Sequence, residues 1–309
     1  MIQSKKVAIL LATYHGQKFL EEQMQSFLAQ THVNWSIWAS DDGSRDGTRE
    51  ILEGYKSKLG SDRMSVHSGP EEGFVPNFLS LTCRPQLDAD FFAYSDQDDV
   101  WEDDKLARAI SYLETLPSEI PALYCGRTRI VDKDLKLVGY SPLFSRAPSF
   151  ANALVQNIGG GNTMVFNRAA RNLLGMAGEY VDVQTHDWWA YLVVSACGGT
   201  VIYDKVAKVS YRQHEANLVG QNNTWRARFK RIQMLFQGYF RGYNDRHIAA
   251  LEGLRSHITP KNLLTLDFFA NARQQSLLPR VVGFYRSGIY RQTFLGNLGL
   301  FIGSIFNKI

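Results

Sequence analysis

The stretch Phe91-Phe92-Ala93-Tyr94-Ser95-Asp96-Gln97-Asp98-Asp99-Val100-Trp101 joins an apolar run to a cluster of carboxylates. Phe91–Tyr94 reads as a strand covered on both faces, as in a parallel sheet. Asp96, Asp98 and Asp99 then place three carboxylates within four residues. Such charges repel unless something positive sits among them. A hard divalent cation bridging a diphosphate would relieve the repulsion, and oxygen ligands suit Mg²⁺ or Mn²⁺. The plainer alternative is an acidic loop capping a helix that begins near Asp103.

Working outward, the same alternation recurs. Val7–Ala12 is continuously apolar, and a helical pattern follows with Phe19, Leu20, Met24, Phe27 and Leu28 on one face. Trp35–Ala39 predicts a second strand, Thr48–Leu59 a helix, Met64–His67 a short strand and Pro76–Leu81 another helix. Asp103–Leu113 aligns Leu106, Ile110 and Leu113 on one helical face. Strands alternating with helices at this spacing predict an α/β fold with a mostly parallel central sheet flanked by helices. Ligands collect at the carboxyl ends of such strands, which is where the acidic run lies. From Ala122 to Tyr211 strands are expected at Ala122–Arg127, Thr163–Phe166 and Val206–Tyr211, with helices at Arg168–Gly175 and Asp187–Ala196.

Composition narrows the classes further. At 45% hydrophobic and 21% charged, the chain is neither disordered nor a fibrous repeat. Cys83, Cys125 and Cys197 are far apart, with no CxxC spacing. They argue against a cysteine zinc site or a disulfide framework and for a reducing compartment. The opening run carries two lysines but no small-residue cleavage site, so it reads as a first strand rather than a signal peptide. The charge is uneven: Val219–Ile309 holds 13 Lys/Arg against 3 Asp/Glu, a net +10, and the rest of the chain is net −6. A boundary near residue 218 follows, between an acidic region able to host a metal and a basic, aromatic helical one.

A second polar turn, Ser40-Asp41-Asp42-Gly43-Ser44-Arg45-Asp46-Gly47-Thr48, closes the second strand. Asp46 suits the N-cap of the following helix, and Asp41 at a strand end can accept a hydrogen bond from a base N–H. No GxGxxG or Walker A pattern is present. Together with the strand end at Ala12-Thr13-Tyr14 and the run Tyr94–Trp101, this turn closely resembles the motifs of family 2 (GT-A fold) nucleotide-sugar glycosyltransferases. The three stand in the family's order and at about its spacing, and the resemblance covers roughly residues 5–218.

The resemblance implies a Rossmann-like GT-A catalytic domain over 1–218, with a nucleotide-sugar-binding half to about residue 115 and an acceptor half from 116. It implies that Ala12, Thr13, Tyr14, Asp41 and Asp96 bind the nucleotide, and that Asp96 and Asp98 form a DxD motif with Asp98 ligating Mn²⁺ or Mg²⁺. In Thr185-His186-Asp187-Trp188-Trp189, Asp187 matches the family's general base, although an acid in the first turn of a helix is also simply favourable. Trp188 and Trp189 offer sugar-stacking faces, while His186 shapes the loop. Tyr211-Arg212-Gln213-His214 resembles the segment closing the donor site, with His214 a metal ligand and Arg212 a partner for the diphosphate. The loop Asn157–Asn162 resembles the donor-sugar and acceptor loop, where Gly160 and Gly161 let a sugar approach bare backbone; a plain turn is the alternative. The spelling of the Tyr94–Trp101 run and of the later Tyr211–His214 segment is most similar to rhamnosyltransferases of O-antigen and cell-wall synthesis. The expected function is an inverting glycosyltransferase using dTDP-L-rhamnose, with UDP-hexoses next.

Basic and aromatic residues interleave from Trp225 to Arg231, and Leu295–Phe306 is apolar but too short to span a bilayer. These features predict a peripheral enzyme on the inner, cytoplasmic face of an anionic membrane. A helical bundle against the catalytic domain, or a homodimer through these helices, is the alternative. Nucleic acid is not expected, because no binding motif accompanies the charge. Two other classes fit parts of the pattern. A sugar nucleotidyltransferase would carry a glycine-rich, basic loop after the first strand, which this chain lacks. A non-catalytic assembly protein would not need both the carboxylate run and Asp187.

Overall fold

The computed structural model describes residues 4–214 and 233–309. The Trp225–Arg231 cluster and the expected boundary near 218 lie outside the described residues. Seven strands form the central sheet: β1 (Val7–Thr13), β2 (Trp35–Asp41), β3 (Met64–Ser68), β4 (Phe91–Ser95), β6 (Ala122–Gly126), β9 (Val165–Asn167) and β10 (Thr200–Asp204), in the order β10-β6-β9-β4-β1-β2-β3. The strands β3, β2, β1 and β4 run parallel, so the polar ends of β1, β2 and β4 open on one edge. Every residue of β1, β4 and β6 is buried, which explains their unbroken apolar spelling. One strand departs from the parallel pattern: β9 is antiparallel to both β4 and β6.

Helices α1 (Leu20–Leu28), α2 (Thr48–Leu59), α3 (Phe74–Cys83), α4 (Lys105–Leu113), α5 (Phe150–Ala153), α6 (Arg168–Ala177) and α7 (His186–Ala196) accompany the sheet. Two apolar clusters, one including α1, α2 and α4 and the other α3, α6 and α7, form the core. Helix α2 matches the expected range. Its N-cap is Gly47 rather than Asp46. Asp46 still serves that end, accepting the Thr48 N–H at 3.1 Å and the Thr48 hydroxyl at 2.5 Å.

A second sheet was not expected. It contains β5 (Val100–Trp101), β7 (Arg129–Val131), β8 (Leu137–Tyr140) and β11 (Val209–Arg212), in the order β5-β11-β7-β8. The carboxylate run therefore continues into a strand. Val100 pairs with Ser210 and Trp101 with Val209, antiparallel, and this carries His214 back over the acidic loop.

Helices α8 (Tyr239–Glu252), α9 (Pro260–Ala272), α10 (Leu277–Ser287) and α11 (Phe294–Ile305) follow. They pack onto the sheet and its helices: Leu251, Leu254, Ile258, Leu266 and Phe269 join the cluster that holds Trp189, Leu192 and Val193 of α7. Asn262 of α9 donates to the Ser195 and Ala196 carbonyls, both at 2.9 Å, which ties α9 to the end of α7.

Candidate active site

The floor of the site is the shared edge of β1, β2 and β4. Parallel register sets Thr13 opposite Asp41, and the Thr13 hydroxyl donates to the Asp41 carboxylate at 2.9 Å. Ser44 adds its N–H at 3.1 Å and its hydroxyl at 2.6 Å. A carboxylate has about four acceptor positions, so these bonds leave one on buried Asp41. Neighbouring Asp42 accepts the Glu71 and Gly73 N–H groups at 2.7 and 2.8 Å, tying this turn to the chain that leads into α3. The Tyr14 ring is exposed above this floor. Its backbone is clamped by Gln97, which accepts the Tyr14 N–H at 2.8 Å and donates to the Tyr14 carbonyl at 2.7 Å. Gly16 is glycine for the same reason, since a Cβ there would lie 2.2 Å from Gln97 Oε1.

The acidic loop carries the second group. Asp98 Oδ2 lies 2.7 Å from His214 Nε2, so residues far apart in sequence meet at one point. Burial, then the charges of Asp98 and Asp187, push the Asp96 carboxyl up to about 7. Asp99 points away from the opening into the protein. It accepts the Asn162 amide at 2.5 Å and the Arg212 N–H at 3.3 Å, joining the acidic loop, the glycine loop and β11. Among the described residues, no three His, Cys, Asp or Glu side chains converge on a ready-made metal site. A carboxylate and an imidazole in contact still suit Mn²⁺ or Mg²⁺, because such ions commonly take one or two protein ligands and complete their shell with phosphate oxygens and water.

Arg212 departs from expectation. Its guanidinium is buried, donating to the Asp98 carbonyl at 2.9 Å, the Lys133 carbonyl at 2.6 Å and the Glu22 carboxylate at 2.5 Å. It braces the acidic loop instead of facing a diphosphate.

Asp187 opens α7. Its carboxylate accepts the Gly161 N–H at 3.1 Å and the Trp188 N–H at 2.7 Å. Gly160 is exposed beside it, and its carbonyl accepts the Thr163 N–H at 3.0 Å and hydroxyl at 2.8 Å. The two tryptophans do not offer sugar-stacking faces. Trp188 and Trp189 are both buried in the core, and the Trp188 indole donates to the Ala153 carbonyl at 2.6 Å. Helix α7 is covered nearly all round, so its aromatic residues serve packing.

His186 is buried with both ring nitrogens lacking a hydrogen-bond partner, stacked on Phe78 at 3.8 Å between ring centres. Burial pushes its imidazole down to about 4, and burial with Arg246 alongside pushes His247 down to about 3. The ordinary value is about 6.5. In the unfolded chain these two imidazoles take up protons as pH falls through about 6.5 while in the folded chain they stay neutral, so their contribution to stability is lost progressively toward about pH 4. The raised carboxyls of Asp96 and Asp99 act in the opposite sense over the same window, so the test is a difference: the urea midpoint of His247→Phe minus that of wild type should rise as pH falls from about 6.5 to about 4. A difference that stays constant over that window contradicts this.

A family model described as glycosyl transferase family 2 matches residues 8–173, which contain the acidic loop, both strand-end turns and the glycine loop. The chain belongs to glycosyltransferase family 2. It is 30% identical to the dTDP-rhamnosyl transferase RfbG of Shigella flexneri over 239 residues, 75% of this chain and 81% of that protein. It is 24% identical to an uncharacterised glycosyltransferase of Rickettsia typhi, over 81% of this chain and 76% of that one. Among solved structures, S. aureus TarS (residues 1–349, with UDP-GlcNAc) superposes with a TM-score of 0.55 at 15% identity, covering 92% of this chain and 93% of that one. The mannosyltransferase PcManGT of Pyrobaculum calidifontis, with GDP-Man and Mn²⁺, gives 0.51 at 15% identity over 99% and 86%. The fold of this glycosyltransferase is thus GT-A.

Sequence reasoning missed Gln97, Asn162 and Gly16, which hold the loops of this glycosyltransferase in register. The glycine loop offers one sharp test. A Cβ on Gly161 would lie 2.4 Å from His186 Nε2, and the His186 ring is held by Phe78 and by Tyr94, edge-on at 4.8 Å. Gly161→Ala should displace the N–H that Asp187 accepts. A misplacement of about 1 Å can cost ~10²-fold, so kcat should fall by about that factor with donor affinity largely kept. Wild-type kcat in Gly161→Ala would show that this contact does not position Asp187.

Proposed function

We propose that this family 2 glycosyltransferase is an inverting, metal-dependent enzyme. It moves a sugar, L-rhamnose from dTDP-L-rhamnose in the first reading, to a hydroxyl of a glycan or lipid-linked glycan in surface polysaccharide synthesis. The observation that carries the reading is the convergence of Asp98 with His214, beside a glycine loop whose adjacent residues Gly161 and Asn162 bond to Asp187 and to Asp99 of the acidic loop. The 30% identity to a dTDP-rhamnosyl transferase supports the donor assignment. A UDP-linked hexose is the second reading, favoured by the fold likeness to TarS with UDP-GlcNAc.

Each residue then has a role. Thr13, Tyr14 and the Ala12 strand end frame the base and ribose, and the remaining acceptor position of Asp41 takes a base N–H. Asp98 and His214 would hold the cation, with Asp96 beside them. When bound, Mn²⁺ or Mg²⁺ supplies positive charge to the departing diphosphate. Asp187 takes the proton of the acceptor hydroxyl as that oxygen attacks the anomeric carbon from the face opposite the diphosphate. Gly160 leaves room for the sugar. The work takes place peripherally, on the inner face of the cell membrane, where a lipid-linked acceptor is presented.

The test is nucleoside diphosphate release from a panel of sugar nucleotides, with Mn²⁺ and with excess EDTA. Release from dTDP-L-rhamnose above all others supports the first reading. Preference for a UDP-hexose replaces it with the second. Pyrophosphate release from a nucleoside triphosphate and a sugar phosphate would make the chain a nucleotidyltransferase, and no release from any donor would make it a non-catalytic assembly protein.

A further inference from the structure

Helices α10 and α11 carry apolar side chains toward solvent at helical spacing. Along α10, Leu278, Val282 and Tyr285 recur at i, i+4 and i+7 and are 77%, 56% and 88% exposed. Along α11, Phe294, Leu298 and Phe301 repeat the spacing, with Phe294 83% exposed and Leu295 beside it also exposed. The inward faces are already satisfied: Arg280, Phe284 and Ser287 of α10, and Leu300, Gly303 and Ser304 of α11, are buried. The two helices pack against each other, so both apolar stripes lie on neighbouring elements. A surface helix normally turns polar residues outward, and large exposed apolar patches mark interaction sites.

Charge selects the occupant. No Asp or Glu follows Asp267 in the sequence; of the cations that do, Arg273 and Arg280 are buried, Arg291 and Lys308 are half-buried, and Arg286 is exposed on α10. A second copy laid on this face would bring Arg286 and the partly exposed Arg291 and Lys308 against their own counterparts, with no carboxylate side chain from α10 or α11 to pair them. An anionic lipid surface would neutralise them. Spanning is not available, since no helix among the described residues is long and apolar enough to cross a membrane.

We infer that the α10–α11 face is an interfacial docking surface for an anionic bilayer, its apolar stripes entering the headgroup boundary with Arg286 at the phosphates. This rests on the peripheral reading above and moves the contact onto two helices that the sequence did not single out as a pair. It holds the active site at the membrane, where a lipid-linked acceptor lies.

The test uses the full chain, sedimented with vesicles of phosphatidylcholine alone or mixed with phosphatidylglycerol. Wild type should pellet with the mixed vesicles and much less with the neutral ones. Leu278→Asp with Tyr285→Asp, and separately Phe294→Asp with Leu298→Asp, should each lower the bound fraction by about tenfold or more, since each places charge where apolar surface must insert. All these positions are exposed, so melting temperature and nucleoside diphosphate release into water should stay at wild-type values. Equal pelleting of variants and wild type overturns the proposal, as does equal binding to neutral and mixed vesicles. A dimer that the same substitutions dissolve, without vesicle binding, assigns the face to a second copy instead. Vesicle binding that persists while no donor is turned over would leave this surface standing and remove the enzymatic reading.

Discussion

Asp187→Asn should leave donor affinity unchanged and cut sugar transfer by about 10²–10⁴-fold, the usual contribution of a general base. The substitution is nearly isosteric. It keeps one of the two acceptors that now receive the Gly161 and Trp188 N–H groups. Loss of the other should cost about 1 kcal/mol of stability, too little to unfold the domain. A drop in kcat with constant donor Kd is therefore the signature, read by single-turnover transfer and by titration of the donor analogue. Near wild-type transfer would put the base elsewhere. Asp182 is a weak substitute, because it is exposed and ion-paired with Arg246 at 3.3 Å. Glu179 would be the next position to change.

Asp98→Ala should fail differently. It removes the group in contact with His214, so donor affinity and turnover should fall together. A cation at a leaving diphosphate supplies several kcal/mol, so kcat/KM should drop by at least about 10²-fold. Wild-type enzyme in excess EDTA should match the variant, and Mn²⁺ should rescue only the wild type. Unchanged donor affinity in EDTA would sink the metal assignment. His214→Ala should be the milder of the two changes, because a carboxylate, not an imidazole, brings the negative charge that a hard cation favours.

Most of the central sheet was legible because β1, β2, β4, β6 and β9 are buried on both faces along nearly all their length and spell themselves as apolar runs, with the motifs at their ends; β10, half-exposed over most of its length, was not expected. Of the second sheet only β11 was expected, as Val206–Tyr211. Its strands β5, β7 and β8 are two, three and four residues long, and none is fully buried, so neither length nor alternation marks them. Yet β5 and β11 deliver His214 to Asp98, a meeting that composition and periodicity do not encode and that only the resemblance of the Tyr211–His214 segment implied. The tryptophans misled for a related reason. A helix covered nearly all round has no polar face, and without one Trp188 and Trp189 read as readily as a sugar platform as core. Arg212 misled because an arginine in the segment resembling the donor-site closure suggests an anion, whereas its partners include two main-chain carbonyls and Glu22, brought to it only by folding.

The contact between Asp98 and His214 closes a loop of 116 residues, and β5 finds its partner only when β11 arrives. Loop closure of that length has to be offset before the contact contributes anything, so this corner should form late. On the ribosome the order is stricter. The nucleotide-side strands β1 to β4 emerge first, and the exit tunnel hides His214 until well over two hundred residues have been made. A nascent chain therefore passes through a long interval with the Asp96–Asp99 carboxylates exposed and unpartnered by His214. A truncated product ending before β11 would carry the family's sequence motifs without the Asp98–His214 pair.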